Sequence, residues 1–328
     1  MRVAVLGAGS WGTTFAAVSS AKAATTLWAR RPELADAIRR TGRNVDYLPH
    51  EELPEGVACT ASLEEALHGA GAVVMAVPSH GFRDVLTQAA PFIPVGTPVV
   101  SLAKGVEQKS RRRMTEVVAE VAPGRPAGVL TGPNFAPEIL AGHPMASVLA
   151  MADAALSSVL QQRFSTHAFR VYTNTDVLGC EVAGALKNVI AIASGMADGM
   201  GFGDSTKAAL ITRGLAELTR VGTHVGGQAS TFAGLAGMGD LVATCISRHS
   251  RNRHVGEELG RGRSIDEVLS GMRMVAEGVN SSPAVVELAA AAGVEVPISE
   301  QVVAVLYGGR KPADVLPALM QRGVKAEL

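Results

Sequence analysis

Residues 2–21 read RVAVLGAGSWGTTFAAVSSA, and this stretch decides how the first half of the chain folds. Residues 2–6 form a short apolar run of the kind that makes a buried strand. Gly7, Gly9 and Gly12 follow in GxGxxG spacing, where the strand pattern gives way to a helical one. The first glycine permits a tight turn and the second lets backbone approach a pyrophosphate. The third lets the helix pack close to the strand. Free N–H groups at the start of that helix would then face the phosphates. A lone GxGxxG is a weak signal; the strand–turn–helix setting makes it a dinucleotide-binding one.

Working outward, residues 25–28 read as the second strand and end in Ala29-Arg30-Arg31. NAD-selective sites carry Asp or Glu about 20 residues after the glycines, on the ribose 2′-hydroxyl. Here Arg30 and Arg31 stand at that place, with no acid before Glu33. Planar, permanently charged guanidinium groups suit a 2′-phosphate, which favours NADPH and leaves NADH possible. The plainer reading is a solvated strand end. Residues 72–77, 98–102, 127–130, 146–151 and 169–172 also read as strands, with helical patterns such as 64–67 and 82–89 among them. That alternation predicts a parallel sheet covered on both faces, with ligands beyond the carboxyl ends of its strands. Lys104 follows one such end, and Gly132-Pro133-Asn134 another, opening a short helix through Leu140. His80 and His143 read as loop histidines. Asn174 or Thr175 is expected to cap the helix that follows the last strand.

From residue 176 the alternation stops and helical periodicity takes over. Residues 184–214 read GALKNVIAIASGMADGMGFGDSTKAALITRG, with Lys187 the only cation in an apolar first half. Ala183, Gly184, Ile190 and Ala191 share its helical face, so the spacing predicts a lysine on a strip of small side chains with open space around its ammonium. The plainer alternative is a surface lysine whose stem lies on apolar neighbours. Segments 282–293, 299–307 and 312–321 read as further helices, the first and third starting at Ser-Ser-Pro and Lys-Pro. Asp240 follows Gly237 and Gly239 at another helix start. Ser250, Arg251 and Asn252 open a helix ending near Gly260, a ready phosphate site, while Arg248, Arg253 and His254 read as surface groups. Two domains are expected: 1–178, binding dinucleotide, and 179–328, all-helical.

Composition agrees with a globular chain: of 328 residues, 47% are apolar and 18% charged. Lysine plus arginine and aspartate plus glutamate each total 30, so no basic excess points to nucleic acid. Cys59, Cys180 and Cys245 lie far apart with no metal-ligand spacing, which predicts buried thiols in a reducing compartment, without disulfide or metal. The N-terminus reads as strand, with no secretory signal, and no run of 18 uninterrupted apolar residues occurs. A cytoplasmic protein without membrane insertion is expected.

Longer motifs then narrow the reading. GAGSWGT at 7–13, AKGVE at 103–107, GPNFAPEI at 132–139, the stretch 184–217, GLAGMGDLVATC at 234–245 and SRN at 250–252 resemble the NAD(P)-dependent glycerol-3-phosphate dehydrogenases of bacterial type along essentially the whole chain. The resemblance implies a Rossmann-type domain and a helical domain like the C-terminal one of 6-phosphogluconate dehydrogenase, with the active site between them. It implies nucleotide contacts at Ser10, Trp11, Arg30, Arg31, Tyr47, Lys104, Ala136, Arg251, Val275 and Glu277. Glycerol 3-phosphate would be held by Lys104, Gly132, Asn134, Lys187, Asp240, Ser250, Arg251 and Asn252, with Lys187 the proton-transfer residue and Lys104 and Asp240 beside it in catalysis. A homodimer is expected. Two departures stand out: Asn134 replaces the Ser or Thr of many members, and residues 21–24 lack their glycine turn.

The implied chemistry is hydride transfer to the C2 carbonyl of dihydroxyacetone phosphate. Lys187 as ammonium would stabilise the forming oxyanion and supply a proton. The reverse direction needs the neutral amine, which for an unshifted lysine at pH 7 costs roughly 4.6 kcal/mol. Synthesis of glycerol 3-phosphate, a phospholipid precursor, is therefore the expected direction. A related 3-hydroxy acid or sugar acid dehydrogenase would want a carboxylate site in place of SRN. A non-catalytic NADPH sensor would not need the lysine, Asp240 and SRN together.

Overall fold

The computed structural model describes residues 1–272, 274–321 and 323. Of the second expected domain, Arg273, Arg322 and residues 324–328 lie outside the described residues. The backbone divides into two compact units, Met1–Glu181 and a second from Val182 on.

The first unit holds strands β1 (Arg2–Leu6), β2 (Thr25–Trp28), β3 (Arg43–Asn44), β4 (Leu48–Glu52), β5 (Val57–Thr60), β6 (Ala70–Met75), β7 (Val99–Ser101), β8 (Ala127–Thr131), β9 (Met145–Met151) and β10 (Phe169–Asn174). Its helices are α1 (Ser10–Ser20), α2 (Pro32–Thr41), α3 (Leu63–Leu67), α4 (Ser79–Ala89), α5 (Met114–Val121), α6 (Ala136–Leu140) and α7 (Ala154–Phe164). Eight strands form one sheet in the order β10-β9-β8-β7-β6-β1-β2-β5, and β3 pairs with β4 in a separate hairpin. Successive residues of β1 feed opposite cores. Val3 and Val5 join Phe15 and Leu27, while Ala4 and Leu6 join Leu67 and Phe82. That period of two, apolar on both faces, is what a sheet covered by helices demands.

Several expectations need correction. The sheet is not wholly parallel: β9 runs antiparallel to β8, and β10 follows β9 in parallel. The connection from β8 contains only the five-residue α6, which rises about 7.5 Å against about 16 Å for a five-residue strand, too little for a crossover helix. That helix starts at Ala136, later than the expected Gly132, with Phe135 at its N-cap. The turn at 21–24 closes without a left-handed residue, because Lys22 and Ala23 both donate to the Ser19 carbonyl. The cap after β10 is Asp176, whose Oδ1 accepts from the Gly179 N–H at 2.8 Å; Asn174 instead accepts from the Asp176 N–H.

Helix α8 (Val177–Gly199) carries the chain into the second unit, whose other helices are α9 (Asp204–His224), α10 (Ala229–Ala233), α11 (Asp240–Ile246), α12 (Arg251–Gly260), α13 (Ile265–Ser270), α14 (Glu277–Ala291), α15 (Pro297–Tyr307) and α16 (Val315–Met320). No strand occurs there among the described residues. By length and composition α8 is apolar enough to cross a bilayer, and 89% of its apolar window is buried inside the protein, as in a core helix. Its small residues admit a neighbour. A methyl on Gly195 would lie 1.9 Å from the Arg253 carbonyl, and one on Gly256 2.0 Å from the Ile192 carbonyl, so α8 and α12 touch backbone to backbone. Helix α14 begins at Glu277 and runs through Pro283, which the sequence reading placed at the helix start. Pro283 lacks the N–H that would reach the Val279 carbonyl. Tyr307 Oη at 2.8 Å and Ser282 Oγ at 3.1 Å donate there instead.

Glu217 on α9 closes the start of α15. Its carboxylate accepts from the N–H groups of Ile298 at 2.6 Å and Ser299 at 3.2 Å, and from Ser299 Oγ at 3.0 Å. These are donors a helix start leaves unpaired. Burial nonetheless pushes the Glu217 carboxyl from 4.5 up to about 7, with the three hydrogen bonds and Arg220 opposing. The folded pKa exceeds the unfolded one, so this group's stabilisation is full below 4.5 and lost as pH rises through about 7. Urea unfolding should show wild type gaining about 2 to 3 kcal/mol over Glu217→Gln between pH 8 and pH 5, since glutamine does not titrate.

Candidate functional site

In the first unit the glycine turn joins β1 to α1. Gly7 has φ +116°, and a methyl on Gly12 would sit 1.9 Å from the Gly7 carbonyl oxygen, so both positions exclude side chains. Gly9 differs: a methyl there meets nothing within 4 Å, and α1 starts at Ser10 without a side-chain cap. The open space lies over unclaimed helix-start N–H groups, which is the geometry a pyrophosphate fits. The Trp11 ring meets Phe15 edge-on at 6.1 Å, so it braces the turn. Beyond β2, Arg30 and Arg31 are both exposed. Arg30 has no ion-pair partner among the described residues, whereas Arg31 pairs with Asp46, and that hydrogen bond raises the Arg31 pKa above its ordinary value.

The β3–β4 hairpin, which sequence reasoning missed, forms a second wall of this cradle. Asn44 is fully buried and donates to the Ala8 carbonyl at 2.9 Å and to Thr13 Oγ1 at 2.7 Å. Its Oδ1 accepts from the Tyr47 N–H, and the Tyr47 carbonyl accepts from Ser10 Oγ. Tyr47 is thus set beside the glycine turn.

A second cluster stands past β7 and β8. Lys104 Nζ donates to the carbonyl of Gly132 at 2.7 Å, and Ala136 follows at the start of α6. Asn134 Nδ2 donates to Ser147 Oγ at 3.2 Å, and Ser147 donates to the Thr131 carbonyl at 2.8 Å. A hydroxyl that spends its one proton on a carbonyl can only accept from the amide, which fixes Asn134 with its NH2 toward Ser147. Its Oδ1 is buried with no hydrogen-bond partner among the described residues, a deficit worth about 1–3 kcal/mol that a ligand hydroxyl would relieve.

In the second unit Lys187 is 3% exposed and Asp240 1%, so the surface-lysine alternative fails. The open space expected around the ammonium is also absent. Nζ lies 2.6 Å from Asp240 Oδ1 and 2.7 Å from Thr244 Oγ1, and Thr244 donates to the Asp240 carbonyl at 2.6 Å. The small residues of α8 admit the α12 backbone instead of leaving a void. Thr244 was missed, though its spacing of four from Asp240 on α11 was a readable signal.

The SRN segment divides its labour. Ser250 caps α12, accepting the Arg253 N–H at 3.2 Å. Asn252 donates to Asn188 Oδ1 at 2.9 Å and accepts from the Gly278 N–H at 2.9 Å, tying α8 and α12 to the start of α14. Arg251 keeps an exposed face, yet crowding protein atoms pull its pKa below the ordinary value, while Glu277 opposes them. Val275 is half-buried next to Ala276, the N-cap of α14. Arg253 is no surface group: it donates to Asp198 at 2.6 Å and to Glu257 at 3.2 Å. Burial pushes the thiols of Cys59, Cys180 and Cys245 up to about 11, 12 and 12, and all three are free. Among the described residues no group of three or more His, Cys, Asp or Glu is placed to hold a metal.

Comparison with known proteins gives one family for both units. The NAD-dependent glycerol-3-phosphate dehydrogenase N-terminus matches residues 2–157, and the C-terminus of the same family matches 176–317. Glycerol-3-phosphate dehydrogenase [NAD(P)+] 2 of Sphingopyxis alaskensis is 54% identical over 327 residues, covering 100% of this chain and 98% of that one. The Moorella thermoacetica glycerol-3-phosphate dehydrogenase [NAD(P)+] is 49% identical, covering 98% and 96%. Among solved structures, glycerol-3-phosphate dehydrogenase from Coxiella burnetii superposes with a TM-score of 0.94 at 37% identity, covering 98% of this chain and 99% of that one.

The second and third glycines of the turn separate folding from binding. Gly12→Ala should lose about 3 kcal/mol of stability, because its methyl meets backbone. Gly9→Ala should melt like wild type and bind dinucleotide at least about tenfold more weakly in a fluorescence titration, because its methyl takes only the phosphate's place.

Proposed function

Because this chain belongs to the NAD-dependent glycerol-3-phosphate dehydrogenase family, we propose that it interconverts dihydroxyacetone phosphate and sn-glycerol 3-phosphate with NADPH or NADH. The observation that carries the reading is a buried lysine, held by Asp240 and Thr244, in a unit that also presents Arg251. A nicotinamide cofactor, when bound, would supply or take the hydride at C2. The glycine turn and the N-terminus of α1 take the pyrophosphate, and Arg30 and Arg31 favour a 2′-phosphate. Arg251 takes the phosphate of the triose; Ser250 and Asn252 fix the backbone from which it projects.

Lys187 faces the C2 oxygen. As negative charge builds there, one of its N–H groups turns from its present partner to that oxygen and the proton follows. Asp240 remains as the counter-charge and Thr244 keeps the amine in line, so only one N–H of the lysine has to turn when the oxyanion forms. Lys104 and Asn134 add a donor and an acceptor beyond β7 and β8. The Asp240 carboxylate pairs with the charged amine, the form that reduction consumes, which supports synthesis of glycerol 3-phosphate as the working direction. A cytoplasmic homodimer completes the reading.

Lys187→Ala should abolish consumption of NADPH with dihydroxyacetone phosphate while its NADPH dissociation constant stays within a few-fold of wild type. Near-normal turnover would reject Lys187 as the proton donor. Unphosphorylated dihydroxyacetone should turn over at least about a hundredfold less efficiently, as expected when a charge-assisted phosphate contact is lost. Equal use of the two ketones would reject the phosphate site.

A further inference from the structure

The sequence places no acid where an NAD-selective turn carries one, yet the fold supplies it from elsewhere. The β3–β4 hairpin is pinned to the glycine turn by Asn44, which donates to the Ala8 carbonyl and to Thr13. It is pinned a second time where Ser10 Oγ meets the Tyr47 carbonyl. Between these anchors stands Asp46, paired with Arg31 at the start of α2. Both side chains are exposed, at 52% for Arg31 and 41% for Asp46, so the pair faces solvent and a ligand can part it. Arg30, its neighbour, is exposed and carries no counter-ion among the described residues. Beyond β2 of this fold lies the adenosine ribose of a bound dinucleotide.

We propose that Asp46 is the acidic half of a two-way reader of the cofactor ribose: its carboxylate accepts from the 2′-hydroxyl of NADH, and the Arg31 it releases joins Arg30 on the 2′-phosphate of NADPH. The inference rests on the glycine turn being the dinucleotide site. A carboxylate is an acceptor with no proton to give, so it bonds a hydroxyl and repels a phosphate dianion. A guanidinium does the reverse, binding phosphate as a planar fork. While the two are paired, each masks the other. NADPH must therefore displace Asp46 from Arg31, and NADH needs only Asp46. This pairing explains how a turn that lacks the usual acid serves both cofactors, and it makes Asp46 a specificity-determining residue.

The test is an equilibrium titration of each reduced nucleotide by its own fluorescence, with no triose phosphate present, on wild type, Asp46→Asn, Arg31→Gln and the double variant. Asp46→Asn should tighten NADPH about threefold and weaken NADH about threefold, the size of an exposed charge contact, moving their ratio about tenfold. In the Arg31→Gln background Asp46→Asn should tighten NADPH less than in wild type, because the masked cation is gone and only the carboxylate's repulsion of the 2′-phosphate is relieved. The pair 2′,5′-ADP and 5′-AMP should follow the same order as NADPH and NADH. Melting temperatures should match wild type, since both side chains are exposed. If Asp46→Asn moves both nucleotides equally or neither, while Arg31→Gln weakens NADPH alone, the two-way reader is wrong and the arginine site stands. If wild type binds neither nucleotide, the dinucleotide site itself is wrong.

Discussion

The second unit is arranged around one buried ion pair. Moving an ammonium and a carboxylate out of water costs several kcal/mol each, and their attraction recovers this only when geometry is close and further hydrogen bonds are made. Lys187 and Asp240 meet the first condition at 2.6 Å, and Thr244 adds hydrogen bonds by accepting from the amine and donating to the Asp240 backbone. The remaining packing follows from the need to keep this pair dry and in register. Helix α8 lacks bulk along the face where α12 approaches, so Gly195 and Gly256 bring the two backbones together. Asn252 then spans from Asn188, the residue after Lys187, to the first turn of α14. One chain of amide contacts thus locks α8, α12 and α14 around the lysine.

What could be read from the chain alone was whatever a short window determines. The GxGxxG turn was legible because three glycines answer three local demands, two of them steric and visible as methyl clashes at Gly7 and Gly12. The helix start at Arg251 was legible because Ser250 caps it within three residues. The hairpin was not, since Leu48–Glu52 is polar and mostly exposed and carries no alternating apolar pattern. Strand direction was not legible either: β9 has the composition of a parallel core strand, and only the shortness of α6 turns it round. Pro283 misled because a proline reads as a helix start, whereas Tyr307, 28 residues beyond Val279, supplies the missing partner and lets the helix run on.

In the candidate sites the residue types were legible and their pairings were not. Lys187 drew notice as a lone cation on an apolar stretch, but the sequence suggested space around it, and the structure fills that space with a carboxylate 53 positions away. Arg253 looked like one more basic surface residue beside Arg251. Its side chain instead turns inward to Asp198, which also pairs with Lys207, so neighbours in sequence take opposite roles. Asp46 carries no motif at all. Its place beside the glycine turn comes from Asn44, a buried amide whose contacts lie 31 and 36 residues back.

A division of burial runs through both units. The cations read as phosphate ligands, Arg30, Arg31 and Arg251, keep exposed faces, whereas the amine read as the proton donor is sealed away with its counter-ion. The physics of the two tasks differs. A phosphate arrives carrying its own charge, so a guanidinium can wait in water and exchange solvent or a surface carboxylate for the ligand at little cost. An oxyanion exists only during the reaction. The group that stabilises it must already be oriented in a medium of low polarisability, where each interaction is stronger and no solvent has to rearrange. A lysine on the surface would bind the ketone's oxygen no better than water does. Burial is what would give the amine its value as a proton donor, and the carboxylate beside it is what makes that burial possible.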